Sequence, residues 1–310
     1  MNSGCVQEGY LFVYNLNQTE PNPPIFKFGF RKLVDFDFSH DGEKVCVCEE
    51  EENEIKIYNL FTSLLIKNVS ITGNQIIGLK FSYGDNLLAM KTKNLETNKN
   101  KMILWDLNMN KPRISSSKFH KSSHFSNFVF SDDDQFLAYA SGNSVLLWSI
   151  RDEGLIFSST LHEANIEKIN FSLDTNKIIC VSKNRMVTIV DAKNGRIIKQ
   201  SPNCEFPDIN EENPVPIAFS FDGAVVATVN DKTRKKISVW SCETRKPLFF
   251  KEIPDDYFVE KITFSKCQNF LATANSNFSI TIWSANNLQI VKLYKLLINL
   301  KKIIILIKCY

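Results

Sequence analysis

Four histidines, eight cysteines and two acidic runs are the residues of this chain best equipped for chemistry. His40, His120, His124 and His162 have the side chain of a general base or metal ligand. A base needs a nucleophile within reach, yet the chain carries no H-E-x-x-H, G-x-S-x-G, P-loop or G-x-G-x-x-G sequence. His162 therefore reads as a structural residue beside a strand. Cys46 and Cys48 form the one close thiol pair, and C-x-C alone falls short of the ligand spacing of a zinc site. The other cysteines (Cys5, Cys180, Cys204, Cys242, Cys267 and Cys309) are scattered singly, mostly in apolar runs where a thiol behaves as a small hydrophobe. The acidic runs are Glu49–Glu52, followed by Asn53-Glu54, and Asp132–Asp134. Hydrolytic or metal chemistry needs carboxylates converging on one point, whereas these runs belong to separate turns. The residues predict no catalytic centre, metal, cofactor or small-molecule substrate.

The elements that carry these residues must fit 310 residues and 35.5 kDa, a length that one closed all-β domain can absorb. Hydrophobic residues at 44% and charged residues at 23% allow a core and argue against wholesale disorder. Lys and Arg number 37 against 34 acids, and a net +3 is too weak a field to imply nucleic acid or an anionic membrane by itself. No charged n-region followed by an apolar h-region opens the chain, so a reducing, cytoplasmic setting is expected. The sequons at Asn17, Asn68 and Asn277 then read as chance.

The chain repeats. A Phe-Ser dipeptide recurs at Phe38-Ser39, Phe81-Ser82, Phe130-Ser131, Phe171-Ser172, Phe219-Ser220 and Phe264-Ser265, in steps of 41 to 49 residues. Each anchor is followed by an Asp-Gly-like turn, an apolar run, a polar turn, and a second run ending in an aromatic and a polar residue. Those closing runs are Ile55–Leu60, Met102–Leu107, Val145–Ile150, Val187–Ala192, Ile237–Cys242 and Ile280–Ala285. They alternate with period two and are β-branched and aromatic, which predicts strands. Trp105, Trp148, Trp240 and Trp283 occupy the same place in four of them. In the first unit the meander reads Val34–Ser39, Lys44–Glu49, Ile55–Leu60 and Leu64–Val69, strands a to d.

Forty-odd residues, four strands and a closing Trp105-Asp106 resemble the WD repeat of β-propellers. The implied fold is all-β, a WD-repeat-like propeller of six full four-stranded blades plus an N-terminal half blade of a seventh. The half blade covers 9–30, and the blades cover about 33–70, 76–118, 125–161, 166–200, 215–251 and 259–294. An irregular apolar, Lys-rich tail follows at 295–310; an improvised closing strand, a membrane-touching segment and a truncated end are all open readings of it. The repeats are degenerate. Leu161-His162 alone stands where the family has Gly-His, and Glu52, Lys99, Gly142, Asn184, Arg234 and Asn277 stand where it has a b–c turn Asp. The family's buried Asp-His-Ser/Thr-Trp network is accordingly not expected to assemble.

The resemblance implies that b–c and d–a loops share one face. That face would carry Glu50, Glu51 and Glu52 from the first blade and Lys91, Lys93 and Lys101 from the second. The long loop at 201–216 would add Asp208, Glu211 and Glu212, and the fifth blade Arg234, Lys235 and Lys236. These are the candidate partner-binding residues of a non-catalytic protein-interaction scaffold, its charged top face presented to a protein partner. An RNA- or membrane-associated propeller is the alternative; neighbouring acids dilute the basic sectors and no aromatic series accompanies the lysines. A propeller-fold enzyme would need His or carboxylates round the central channel, where strand a offers Val34, Leu79, Phe128, Ile169, Ile217 and Ile262. Tandem-propeller ciliary WD-repeat proteins share the general appearance of these blades.

Overall fold

The computed structural model describes residues 9–13, 26–50, 54–97, 100–114, 125–172, 174–183, 186–200, 216–220, 222–230, 234–242, 244, 246–253, 256–265, 267–277 and 279–295. Every regular element among them is a β-strand. β1 (Gly9–Val13) and β2 (Phe26–Phe30) pair as a two-stranded antiparallel sheet. Sheet one follows with β3 (Leu33–Phe38), β4 (Lys44–Glu49), β5 (Glu54–Asn59) and β6 (Leu65–Ser70). Sheet two is β7 (Asn74–Phe81), β8 (Leu87–Asn94), β9 (Asn100–Asp106) and β10 (Lys111–Ile114). Sheet three is β11 (Phe125–Phe130), β12 (Phe136–Ser141), β13 (Ser144–Ser149) and β14 (Gly154–Thr160). Sheet four is β15 (Ile166–Phe171), β16 (Lys177–Ser182), β17 (Val187–Asp191) and β18 (Ile197–Gln200). Sheet five is β19 (Ile217–Phe219), β20 (Val225–Asn230), β21 (Lys236–Ser241) and β22 (Pro247–Glu252). Sheet six is β23 (Val259–Phe264), β24 (Phe270–Asn275), β25 (Ser279–Ser284) and β26 (Ile290–Lys295). Six four-stranded meanders, each strand bonded to the next in sequence, are the blades of a WD-repeat-like propeller. The tail from residue 296 lies outside the described residues.

The Phe-Ser anchor forms its turn through the serine. Ser39 N–H donates to Lys44 O at 3.0 Å, while Ser39 Oγ accepts the Lys44 N–H at 2.8 Å and donates to Asp41 Oδ1. The same set closes the turns at Ser131, Ser172 and Ser220 onto Asp133, Asp174 and Asp222. The fourth residue of each turn (Gly42, Asp85, Asp134, Thr175, Gly223 and Gln268) has φ between 55° and 76°. Left-handed backbone costs least for Gly and little for Asp, which is why Asp-Gly-like sequences recur there. The residue after the closing aromatic has a matching task at the c–d turn. Asn59 Oδ1 accepts the N–H groups of Phe61 and Thr62, and Asp106 Oδ1 those of Asn108 and Met109, all at 2.9 Å.

Two compact units make up the chain: Met1–Phe171 with Asp191–Arg196, and Ser172–Val190 with Ile197–Tyr310. In the first, Leu88 and Met90 of β8 pack with Cys46, Ile55 and Ile57 of sheet one, and Leu87 and Ala89 with Phe128, Leu137 and Trp148 of sheet three. Covering both faces is what makes the second strands continuous apolar runs, and burying one such side chain is worth roughly 1.5–3 kcal/mol. The second unit repeats the arrangement, Val239 and Ile237 of β21 packing with Leu271 and Trp283 of sheet six. Fourth strands stay outside: β18 is exposed throughout, and β22 nearly so.

Candidate functional site

Charged hairpin tips become a site only if the backbone beneath them is fixed. In the first unit, the b–c turns bond to the chain entering a first strand: Glu50 N–H donates to Lys32 O at 3.1 Å, and Ile166 N–H to Gly142 O at 2.8 Å. Asn94 Nδ2 adds a bond to Gly73 O at 3.4 Å. In the second unit, Ile253 N–H donates to Lys235 O at 2.7 Å, Val259 N–H to Arg234 O at 3.0 Å, and Ser276 N–H to Phe258 O at 2.9 Å. The b–c and d–a connections of each unit are thus tied together by the main chain.

The candidate residues divide on this frame. Glu50 sits in the turn after β4 and pairs with Lys32. Glu49 beside it accepts the Arg31 N–H at 3.1 Å and lies 4.0 Å from Lys56 Nζ, so basic neighbours offset the acid run. Lys91, Lys93 and Lys101 are expected in a long turn but belong to strands: Lys91 pairs with Met102, Lys93 with Asn100, and Lys101 with Thr92. The hairpin is longer than its polar composition suggests because both of its faces are covered: Thr92, facing away from Lys91 and Lys93, and Met102, cross-strand from Lys91, are fully buried. Burial pushes the Lys91 ammonium below its ordinary value. Arg234 is left-handed with φ of 55°, Lys235 follows it, and Lys236 opens β21 with Nζ 4.1 Å from the centre of the Phe250 ring. Glu51, Glu52, Asp208, Glu211 and Glu212 lie outside the described residues.

The interior polar groups add a bond that the sequence did not reveal. In two sheets the closing tryptophan is hydrogen-bonded across to the second strand: Trp240 Nε1 donates to Thr228 Oγ1 at 3.1 Å, and Trp283 Nε1 to Thr273 Oγ1 at 3.0 Å. Looking for an Asp in the b–c turn hides this bond, because it needs only a threonine nine residues after the anchor Phe. In sheet two that place holds Met90, and Trp105 Nε1 finds no partner among the described residues. His162 is 6% exposed, its carbonyl accepts Asn143 Nδ2 at 2.9 Å, and neither ring nitrogen has a partner among the described residues. Burial lowers its pKa, since desolvation disfavours the charged ring.

Cys46 and Cys48 are buried free thiols, and burial raises the Cys46 pKa well above the ordinary range. Among the described residues no three His, Cys, Asp or Glu side chains are grouped to hold a metal ion. The strand-a residues Asp35 and Asp37, passed over in the sequence, turn out to be connectors. Asp35 Oδ2 accepts the Leu79 N–H and Asp37 Oδ2 the Phe81 N–H, each at 2.9 Å. Desolvation raises the Asp35 pKa against the bonds it accepts from the Leu79 and Phe36 N–H groups. No helix among the described residues is long and apolar enough to cross a membrane.

No family model matches the chain. A BTB/POZ domain and WD-repeat protein of Acanthamoeba polyphaga mimivirus is similar to it, at 22% identity over 158 residues. The match takes in 51% of this chain and 30% of the relative's own length.

Proposed function

We propose that this chain is a non-catalytic scaffold whose b–c and d–a loops hold a protein partner within a larger assembly. Blades of the WD-repeat type are usually interaction surfaces rather than catalysts, and the likeness to a WD-repeat protein supports the same class. One observation carries the reading to particular residues. Arg234, Lys235 and Lys236 sit in sequence on backbone fixed by the Ile253 and Val259 N–H bonds, with Lys236 held over Phe250. A basic segment ordered in advance loses little entropy on meeting an acidic surface. The lysines Lys93 and Lys101 of the second hairpin offer a further basic contact in the first unit.

The test is affinity capture with the full chain against its Lys235→Glu, Lys236→Glu double variant, both verified as folded by circular dichroism. Loss of specific protein partners from the variant supports the reading. An unchanged partner set overturns the site, and capture of RNA with steep salt dependence overturns the class.

A further inference from the structure

On the side of their a–b and c–d turns, sheets one and two enclose a cleft of about 560 Å³. That volume is ample for several side chains. Ile57 and Phe81, both buried, form its floor, while Ile66 and Tyr83 stand at its mouth, 50% and 45% exposed. Its carboxylates are already engaged. Asp85 accepts the N–H groups of His40 and Asp41 at 2.7 and 2.9 Å. Asp41 takes the Ser39 hydroxyl, the Glu43 N–H and the Lys44 ammonium at 2.5 Å, a set that lowers its pKa to about 2 against the opposing desolvation.

Lys67 is the exception. Its ammonium crosses the cleft to donate to the Leu107 carbonyl, and no carboxylate pairs with it among the described residues. An ammonium has three hydrogens to donate, so the cleft presents unspent positive charge beside apolar surface. Exposed apolar surface also lies next to the cleft, in the turn that leads into the outermost strand of sheet one. Phe61, Leu64 and Leu65 are more than half exposed and lead directly to Ile66. A pocket flanked by an exposed apolar turn suits a peptide segment better than a compact small molecule.

We infer that this cleft is a second docking site, and that it takes an extended peptide segment of a protein partner with a Glu or Asp side chain on Lys67 and an apolar side chain between Ile66 and Tyr83. The site stands independently of the b–c face. Occupation leaves Lys67 paired and covers exposed apolar surface, two contributions that act in the same direction.

The probe is a fluorescent peptide of alternating leucine and glutamate, blocked at both ends, titrated against the full chain by anisotropy. Saturable binding below millimolar concentration is expected. Lys67→Glu should weaken it by about tenfold or more and should bind a leucine–lysine peptide that the parent chain rejects. Ile66→Ser, a change at an exposed position that spares the fold, should weaken it by roughly threefold, the scale of a lost rim contact. The Lys235→Glu, Lys236→Glu chain should bind the peptide unchanged, which separates this site from the scaffold face. Absence of binding to the parent chain, or equal binding by Lys67→Glu, overturns the inference and leaves the scaffold reading as it stands.

Discussion

Sheets two and six carry a tryptophan at the same place and bury it in opposite ways. Around Trp105, itself only partly buried, the covering side chains are apolar, Leu88 and Met90 being wholly buried, and the indole nitrogen has no partner among the described residues. Around Trp283 the interior is polar. Its nitrogen is bonded to Thr273, and Asn275 Nδ2 donates to Ser279 Oγ and Thr281 Oγ1 at 2.8 and 2.9 Å. One repeat plan therefore tolerates two kinds of core: one held by packing density, the other by a linked set of hydrogen bonds. The tryptophan is retained in both because a large flat side chain fills the strand-c position whatever meets its edge.

The contrast is open to experiment, beginning where the effect is largest. Leu88→Ala in sheet two, directly across from Trp105, should cost about 2–5 kcal/mol of stability, since a dense apolar core relaxes little around a cavity. Denaturant midpoints would show it, and a loss below that range would mean that sheet two is more loosely packed than its burial implies. Thr273→Val in sheet six should cost about 1–3 kcal/mol, because it leaves the Trp283 N–H buried without an acceptor. Trp105→Phe should cost less than Trp283→Phe, for only the latter abandons a hydrogen-bonding hydroxyl. Equal losses would erase the distinction between the two cores.

The smallest effect is that of His162, which lies in neither sheet. Its pKa is depressed below 6.5 in the folded chain, so between that ordinary value and the folded one the unfolded chain binds more protons. Stability is then full above 6.5, declines as pH falls, and levels once His162 itself is protonated. Thermal melts at about pH 7 and about pH 5 should differ less for His162→Phe than for the parent chain, since the substitution removes this titration.

Much of the fold was legible because the repeat spells out its own turns. The Phe-Ser anchors, the turn aspartates and the polar residue after each closing aromatic each make a local bond, and local bonds are what sequence patterns encode. Lys44–Glu49 and Val187–Asp191 could be read almost to the residue for that reason. Lys91, Lys93 and Lys101 misled because three lysines among asparagines look like a loop, although Thr92 and Met102 beside them are buried on the two faces of the hairpin. The cleft and its Lys67 were not legible, since they depend on which turns two successive sheets bring together. The same holds for Asp35 and Asp37, whose partners are backbone groups 44 residues away.

One further link runs between the turns. Asp85 of sheet two holds the turn of sheet one through two backbone N–H groups, and Asp134 of sheet three holds Tyr83 and Gly84 of sheet two in the same way, at 2.6 Å. Each turn is thereby finished by the sheet made after it. During synthesis, the His40 and Asp41 N–H groups of the first sheet's turn meet their carboxylate only once its successor has folded. The first three sheets should mature as a chain of dependent steps and come apart cooperatively, rather than open one blade at a time.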